Sequence, residues 1–473
     1  MDEEVHTYTP APWRLYRIRR CPPAYSRRSG RPPRTRGSPV ANIDGGRIRA
    51  AGPTRRRVHP AWRMVAVAAF ALIAAGSFTT IGGLVTDPLI DSREWSRTGI
   101  GAGAAINMVL YGAVAPFSAA LMDKYGLRRI TSIALALLVA SSQLVVFLSP
   151  TVFWFVIWWG FIVGVGTGSI TMVFGATVAN RWFHQRIGLA TGLLTAASVV
   201  GQFAMLPLLS IVLDRSDWRG PILTCGALAA AALVGVLLLL EDHPRCIGVR
   251  PYGNLAESPA STGRPPSTEF AHPFRRTITA LVVCLHDSRF WVLALMFALC
   301  GATTNGLMWS HFTPAAHDHG MQATAASGLL AIIGIANILG TVTAGWLTDR
   351  IQPGLLLAVF FLGRGISLAF LPVLFASALN PNLVAFAVAF GILDVATVPP
   401  TLALCRRYFG QGSALAFGWV NVFHQIGAGT MALIGGLIRE ANGSYTWVWI
   451  LSAGTCVVAA ILGATTSGRR RSG

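Results

Sequence analysis

The sequence predicts an all-α membrane protein of twelve transmembrane helices in two pseudo-symmetric six-helix halves. Three observations predict it. The apolar residues fall in blocks of about twenty, the length that crosses a bilayer as a helix, and not in alternation. Charged residues make up 12% of the 473 residues against 53% hydrophobic, roughly half the charged share of a soluble domain. Landmarks of the first half also return in the second at one fixed offset.

The chain opens with an Arg-rich segment, residues 1–61, holding 14 Arg and no Lys. Such a segment has too little apolar residue to bury a core and is expected to be a disordered cytoplasmic tail. It lacks the short apolar core and small-residue cleavage site of a signal peptide. Three readings of it stay open: an idle tail, an over-extended start, or a polybasic segment for anionic lipid. From Trp62 onward twelve apolar spans follow: 63–86, 98–121, 130–149, 152–179, 188–212, 219–240, then 290–313, 323–346, 354–377, 382–404, 413–437 and 445–466. They divide into an N-terminal half, 62–240, and a C-terminal half, 289–466. Between the halves, 241–288 is rich in Pro, Ser and Arg and reads as a cytoplasmic linker. Residues 467–473 form a second short tail.

Orientation follows from the basic residues. With the N-terminus inside, the inner loops after the tail and the C-terminus carry 17 Lys+Arg, whereas the outer loops carry Arg93, Arg97, Arg215, Arg219 and Arg439. Inner loops of membrane proteins hold the basic excess, so both termini are expected in the cytoplasm and the protein in the inner (plasma) membrane. The net charge of +19 has the same explanation. No nucleic-acid motif accompanies it, and nucleic acid is not expected as a partner. The seven Cys are scattered without CxxC spacing, which supports neither a zinc site nor a disulfide framework.

Between spans two and three stands ALMDKYGLRRI, with Asp123, Lys124, Gly126, Arg128 and Arg129. Asp349-Arg350 returns 226 residues later, between spans eight and nine. The same offset relates Arg181-Trp182-Phe183 to Arg407-Tyr408-Phe409, and Gly192 to Gly418. Separate loops agreeing on one offset indicate an internal duplication, the usual construction of secondary transporters.

On these residues the chain resembles the major facilitator superfamily from about 62 to 466. Asp-Lys-x-Gly-x-Arg-Arg after span two is similar to that family's motif A, with Ala119 in place of the leading Gly and Leu127 in place of a basic residue. Physically, Gly126 permits a tight turn. Asp123 at a helix end can accept hydrogen bonds from a neighbouring helix N-terminus. Lys124, Arg128 and Arg129 can pair with carboxylates or lipid phosphate. Together with Asp349 and Arg350 they read as a conformational latch and not as a substrate site. Finer resemblance points to the monocarboxylate porter and oxalate/formate antiporter branch. Its carriers are SFTTIGGLVTDPLIDSREWSR (with Gly83, Pro88, Trp95, Ser96 and Arg97), NRWFHQRIGLATG, HFTPAAHDHGM, DVATVPPT and FGWVNVFHQIGAG. Span five lacks the Gly-Pro pair of drug antiporters. Lys124 is the only lysine, so Arg, His or neutral donors must meet any anion.

An ionisable residue inside a membrane is expensive, and so is a functional candidate. Arg364 in span nine and Asp394 in span ten are the two strong cases: a substrate carboxylate for the first, a coupled proton for the second, or a static pair. Asn421, His424 and Gln425 share one face of span eleven at i, i+3 and i+4, as cavity lining or as an inter-helix cluster. Asn107 and Tyr111 in span two, Gln202 in span five, Asn305 in span seven and Asn337 in span eight add neutral donors. His311, His317 and His319 cluster without a Cys or Glu to complete a metal site, and no metal is expected. Glycines at 160, 164 and 168 read as helix packing. No HExxH, GxSxG or Walker lysine appears, so neither an enzyme nor a cofactor is expected. The resemblance implies alternating-access transport of a small organic anion, a monocarboxylate, coupled to protons. Export of drugs or amphiphilic metabolites is the alternative within the family, and a transporter-like sensor the alternative outside it.

Overall fold

The computed structural model describes residues 59–253 and 272–467. Most of the Arg-rich tail (1–58), the middle of the linker (254–271) and the last residues (468–473) lie outside the described residues. The fold is built of helices. The spanning helices are α1 (Pro60–Arg93), α2 (Arg97–Tyr125), α3 (Leu127–Phe147), α4 (Val152–Trp182), α5 (Ile187–Arg215) and α6 (Arg219–Leu239) in the first half. The second half holds α7 (Ser288–Asp318), α8 (Ala323–Thr348), α9 (Pro353–Leu374), α10 (Pro381–Phe409), α11 (Ser413–Asn442) and α12 (Thr446–Ser467). A helix satisfies its own backbone inside lipid, which an isolated strand cannot do.

Local chemistry sets the helix ends. Ser96, Asp287 and Asn380 accept backbone N–H bonds in the first turns of α2, α7 and α10, a role these side chains fill well. Pro opens α1, α9 and α10, where its missing N–H costs nothing. Among the described residues eleven helices are long and apolar enough to cross a membrane. The twelfth, α11, has 30 residues, but Asn421, His424 and Gln425 dilute its apolar content.

A helix over Pro273–Leu285 lies inside the segment that the sequence alone makes a polar linker. Its 13 residues are too few to register as a span, and Arg275 and Arg276 mask its apolar character. Phe274 stacks on Phe117 of α2 at 5.2 Å between ring centroids. The Thr277 carbonyl accepts the Trp419 indole N–H of α11 at 3.2 Å. This connecting helix therefore touches both halves.

The duplication is visible in the packing. Gly201 of α5 sits where a Cβ would strike the Ile73 carbonyl of α1, and Gly427 of α11, 226 residues on, sits likewise against the Ala298 carbonyl of α7. Gly192 of α5 packs on α8, with a Cβ 2.6 Å from the Thr341 carbonyl, and its counterpart Gly418 of α11 packs on α2, 2.8 Å from the Pro116 Cα. The first two contacts lie within a half, the last two between halves. One buried apolar cluster lies wholly in the first half and the residues that follow it to Tyr252, and another in the second half. A third joins Ala115, Ala119 and Val173 to the second half. Gly160, Gly164 and Gly168 bring α4 onto α2, the last with a Cβ 2.8 Å from the Leu110 carbonyl.

Candidate transport cavity

A cavity of about 280 Å³ lies between the halves, with walls from α1, α2, α4, α5, α7, α10 and α11. Four departures from regular α-helix in these walls lie beside it. Wide π-type turns occupy Val156–Val163 in α4, Val200–Ala204 in α5 and Ala302–Met308 in α7. They place Trp159, Gln202 with Phe203, and Asn305 on the wall. A 3₁₀ turn, Val395–Thr397, breaks α10 directly after Asp394, and Asp394, Val395 and Thr397 line the cavity. Irregular backbone inside a membrane is tolerated where it lines a cavity, and transporter sites are built from such broken helices.

Most of the polar residues singled out in the sequence meet here. Asn107, Tyr111, Gln202, Asn305, Asp394, Asn421, His424 and Gln425 all line the cavity. The Asn107 amide donates to the Trp159 carbonyl at 3.0 Å, fastening α2 to the α4 turn, and Tyr111 lies beside Gln202. Three wall side chains hold a buried polar atom with no protein partner: Asp394 Oδ1, Asn421 Nδ2 and His424 Nδ1. Such orphans are uncommon in a folded protein. Phe78, Trp159, Phe203, Phe297 and Trp309 supply the apolar wall, and Phe203 of α5 stacks on Trp309 of α7 at 4.0 Å across the halves. Sequence reading missed this aromatic wall, because aromatic residues in an apolar helix carry no signal separating cavity from lipid.

Asn337 and Arg364 do not line the cavity. Both are fully buried behind it. Asn337 donates to Asp394 Oδ2 at 3.1 Å. Arg364 bonds the backbone carbonyls of Leu393, at 2.9 Å, and Asp394. His311 and His319 bond the carbonyls of Ala432 and Ala315, at 2.9 and 2.8 Å.

The charged knot lies at the bundle end that carries the start of α1 and the end of α12. Gly126 adopts φ +97° between α2 and α3, and a Cβ there would sit 2.8 Å from the Asp242 carboxylate. Asp242 accepts the Arg128 backbone N–H at 2.8 Å, and the Arg128 guanidinium bonds the Leu237 carbonyl. Lys124 lies over the Tyr125 ring, Arg350 over the Trp346 ring, and Arg129 is exposed. Asp123 bonds no helix N-terminus. Its carboxylate is held by Arg181 at 2.8 Å and by Arg276 of the connecting helix at 3.0 Å. The copy, Asp349, makes the contact expected of Asp123. It accepts the Gly188 and Leu189 N–H groups of α5 at 2.7 and 3.0 Å, bridging the halves where the α5 dipole favours an anion.

Single cysteines at Asn421, His424 and Gln425 are expected to react with a small water-soluble thiol reagent, whereas one at Leu433, on the exposed outer side of α11, is not. Alkylation in a background without native thiols measures this, and equal silence at all four positions would remove the aqueous face of α11.

A bundle of two duplicated halves around a central cavity walled by broken helices defines a secondary transporter. The chain belongs to the Major Facilitator Superfamily, whose family model matches residues 66–377 and 312–472. It is 24% identical over 375 residues to YcxA, an uncharacterized MFS-type transporter of Bacillus subtilis (strain 168), covering 78% of this chain and 85% of that protein. Monocarboxylate transporter 13 of Rattus norvegicus is 28% identical over 302 residues, 61% of this chain and 63% of that one. Monocarboxylate transporter 12 of Homo sapiens is 26% identical over 334 residues, 63% and 60% of the two chains. The chain thus spans less than two thirds of the length of these two relatives. Among solved structures, the proton:xylose symporter XylE superposes with a TM-score of 0.63 at 14% identity, covering 86% of this chain and 95% of that one. The Escherichia coli fucose:proton symporter FucP superposes with 0.60 at 16% identity, covering 85% and 98%. At these identities the likeness is one of fold. The protein is a multi-pass membrane transporter and not an enzyme.

Proposed function

We propose that the protein carries a small organic anion, a monocarboxylate, across the inner membrane together with a proton, by alternating access. The observation that carries this reading is the trio of buried, unpartnered polar atoms on one cavity wall: Asp394 Oδ1, Asn421 Nδ2 and His424 Nδ1. A carboxylate needs hydrogen-bond donors. The Asn421 amide supplies one, and the His424 imidazole supplies another in the tautomer with its proton on Nδ1. Among the described residues neither Lys nor Arg lines the cavity, so an ionised Asp394 repels an anion that a protonated Asp394 can hydrogen-bond. Proton binding before anion binding then gives coupling without a fixed cation. The names of the relatives support the same substrate class. The basic-residue count of the loops supports cytoplasmic termini, which places the Asp349 contact at the inner end.

Uptake into proteoliposomes tests the reading, with a labelled panel of short mono- and dicarboxylates, with and without an inside-alkaline pH gradient. Gradient-driven accumulation of a monocarboxylate above protein-free vesicles is the expected result. Folded protein that accumulates no acid under either condition would overturn the substrate class.

A further inference from the structure

The break in α10 leaves backbone groups outside the helical ladder. The Val398 N–H bonds the Val395 carbonyl in the 3₁₀ manner, which releases the Asp394 carbonyl from its i+4 partner. The Val395 N–H likewise turns away from the helix and donates to Asn337 Oδ1 at 3.1 Å. Pro399 and Pro400 follow at once and supply no N–H to restore regular turns. In a dry interior each orphan must find a partner or cost free energy on the order of 1–3 kcal/mol.

Two side chains meet these needs. Arg364 reaches from α9 and donates to the Leu393 and Asp394 carbonyls. Its other terminal nitrogen donates to Thr303 Oγ1 at 3.2 Å and contacts Cys300 Sγ at 3.4 Å, both on α7. Asn337 reaches from α8, accepting the Val395 N–H and donating to Asp394 Oδ2. The result is a clamp from three helices on one turn of a fourth. One carboxylate oxygen of Asp394 is fixed from behind and the other is left without a partner on a side chain that lines the cavity.

From this geometry we infer that Arg364 and Asn337 are positioning residues for proton coupling: they hold the α10 break so that Asp394 presents one carboxylate oxygen to the cavity, and Arg364 does not itself bind substrate. The inference rests on the reading of Asp394 as the proton carrier. Both terminal nitrogens of the guanidinium are taken by two carbonyls, a hydroxyl and a thiol; only the Nε–H is left without a partner, and it is buried on a side chain that lies off the cavity wall, out of place for a cargo anion. Its charge instead acts on the carboxylate beside it. The titratable groups facing Asp394 are Arg364 of α9 and His424 of α11, with the Cys456 thiol of α12, while the Cys300 thiol of α7 faces Arg364.

The test is pH-difference infrared spectroscopy of the full-length protein in lipid, following the protonated-carboxyl C=O band, with L-lactate uptake measured in parallel. The Asp394→Asn variant assigns the band. Asn337→Ala and Arg364→Gln are expected to shift its midpoint away from that of the unsubstituted protein. Arg364→Lys keeps the charge but loses the fork, so its midpoint should stay near that of the unsubstituted protein while gradient-driven uptake falls at least about tenfold. Should Arg364→Gln fail to fold, Asn337→Ala carries the test, since it removes one hydrogen-bonding side chain and no charge. A band that Asp394→Asn removes but neither clamp variant shifts would overturn the positioning role alone. A spectrum unaltered by Asp394→Asn would instead overturn the proton-carrier reading beneath it.

Discussion

Replacing Asp394 with Asn is expected to abolish gradient-driven accumulation while leaving exchange of labelled for unlabelled acid within about tenfold of the unsubstituted rate. Asn keeps the shape and still accepts from Asn337, so the break in α10 and the cavity wall should survive. It cannot release a proton, which fixes the site in its anion-accepting form. A carrier that shuttles solute without its proton only equilibrates it, and the accumulation ratio falls to about one. Uptake and counterflow in the same vesicles measure the two quantities. Accumulation that persists in Asp394→Asn would assign the proton elsewhere, with His424 the next titratable group on the wall.

The second large effect is expected from Gly192→Leu. A Cβ at this position meets the Thr341 carbonyl at 2.6 Å and the Gly345 Cα at 3.0 Å, and Gly188 beside it faces the Gly345 carbonyl. Backbone on both sides leaves nothing flexible to give way, and overpacking of this kind costs about 1–3 kcal/mol. The cost falls only on the conformation in which α5 and α8 close the terminus-bearing end. The population should shift by roughly tenfold or more toward a state open there. A cysteine at Thr348, beside the Gly188–Asp349 contact in a second, smaller cavity, should then label faster from that side, and transport should fall in proportion. Asp349→Ala should act in the same direction but more weakly, because the carboxylate is exposed to solvent and partly screened. Gly235→Leu, which meets no neighbouring atom within 4 Å, serves as the control. Unchanged Thr348 labelling in Gly192→Leu would mean that the α5–α8 contact does not gate this end.

The fold was legible because membrane helices announce themselves by length and hydrophobicity alone, and because the duplication leaves Asp123 with Asp349 and Gly192 with Gly418 at one offset. The connecting helix was not legible. It is short and basic, and it is held by partners far away in sequence: Phe117, Trp419 and Asp123. The cavity face of α11 was legible since Asn421, His424 and Gln425 fall on one helical side. The contrast between Asp394 and Arg364 was not. Both read as charges at mid-membrane, yet one lines the cavity and the other is spent on backbone carbonyls that only the α10 break exposes. Asp123 and Asp349 make the same point. As a repeated motif they look equivalent, but Asp123 meets Arg181 and Arg276 while Asp349 meets the start of α5.

By itself the sequence determined the spanning helices, the duplication and the short set of polar residues from which a site can be made. Hydropathy and periodicity are local properties, and a helix in lipid satisfies its own backbone whatever surrounds it. Tertiary structure alone decided where the helices stop being regular, which polar atoms are left without partners, and which carboxylate joins the two halves. Those outcomes depend on groups brought together from distant parts of the chain: a guanidinium on α9 beside a broken turn on α10, and a carboxylate on α8 at the first N–H groups of α5.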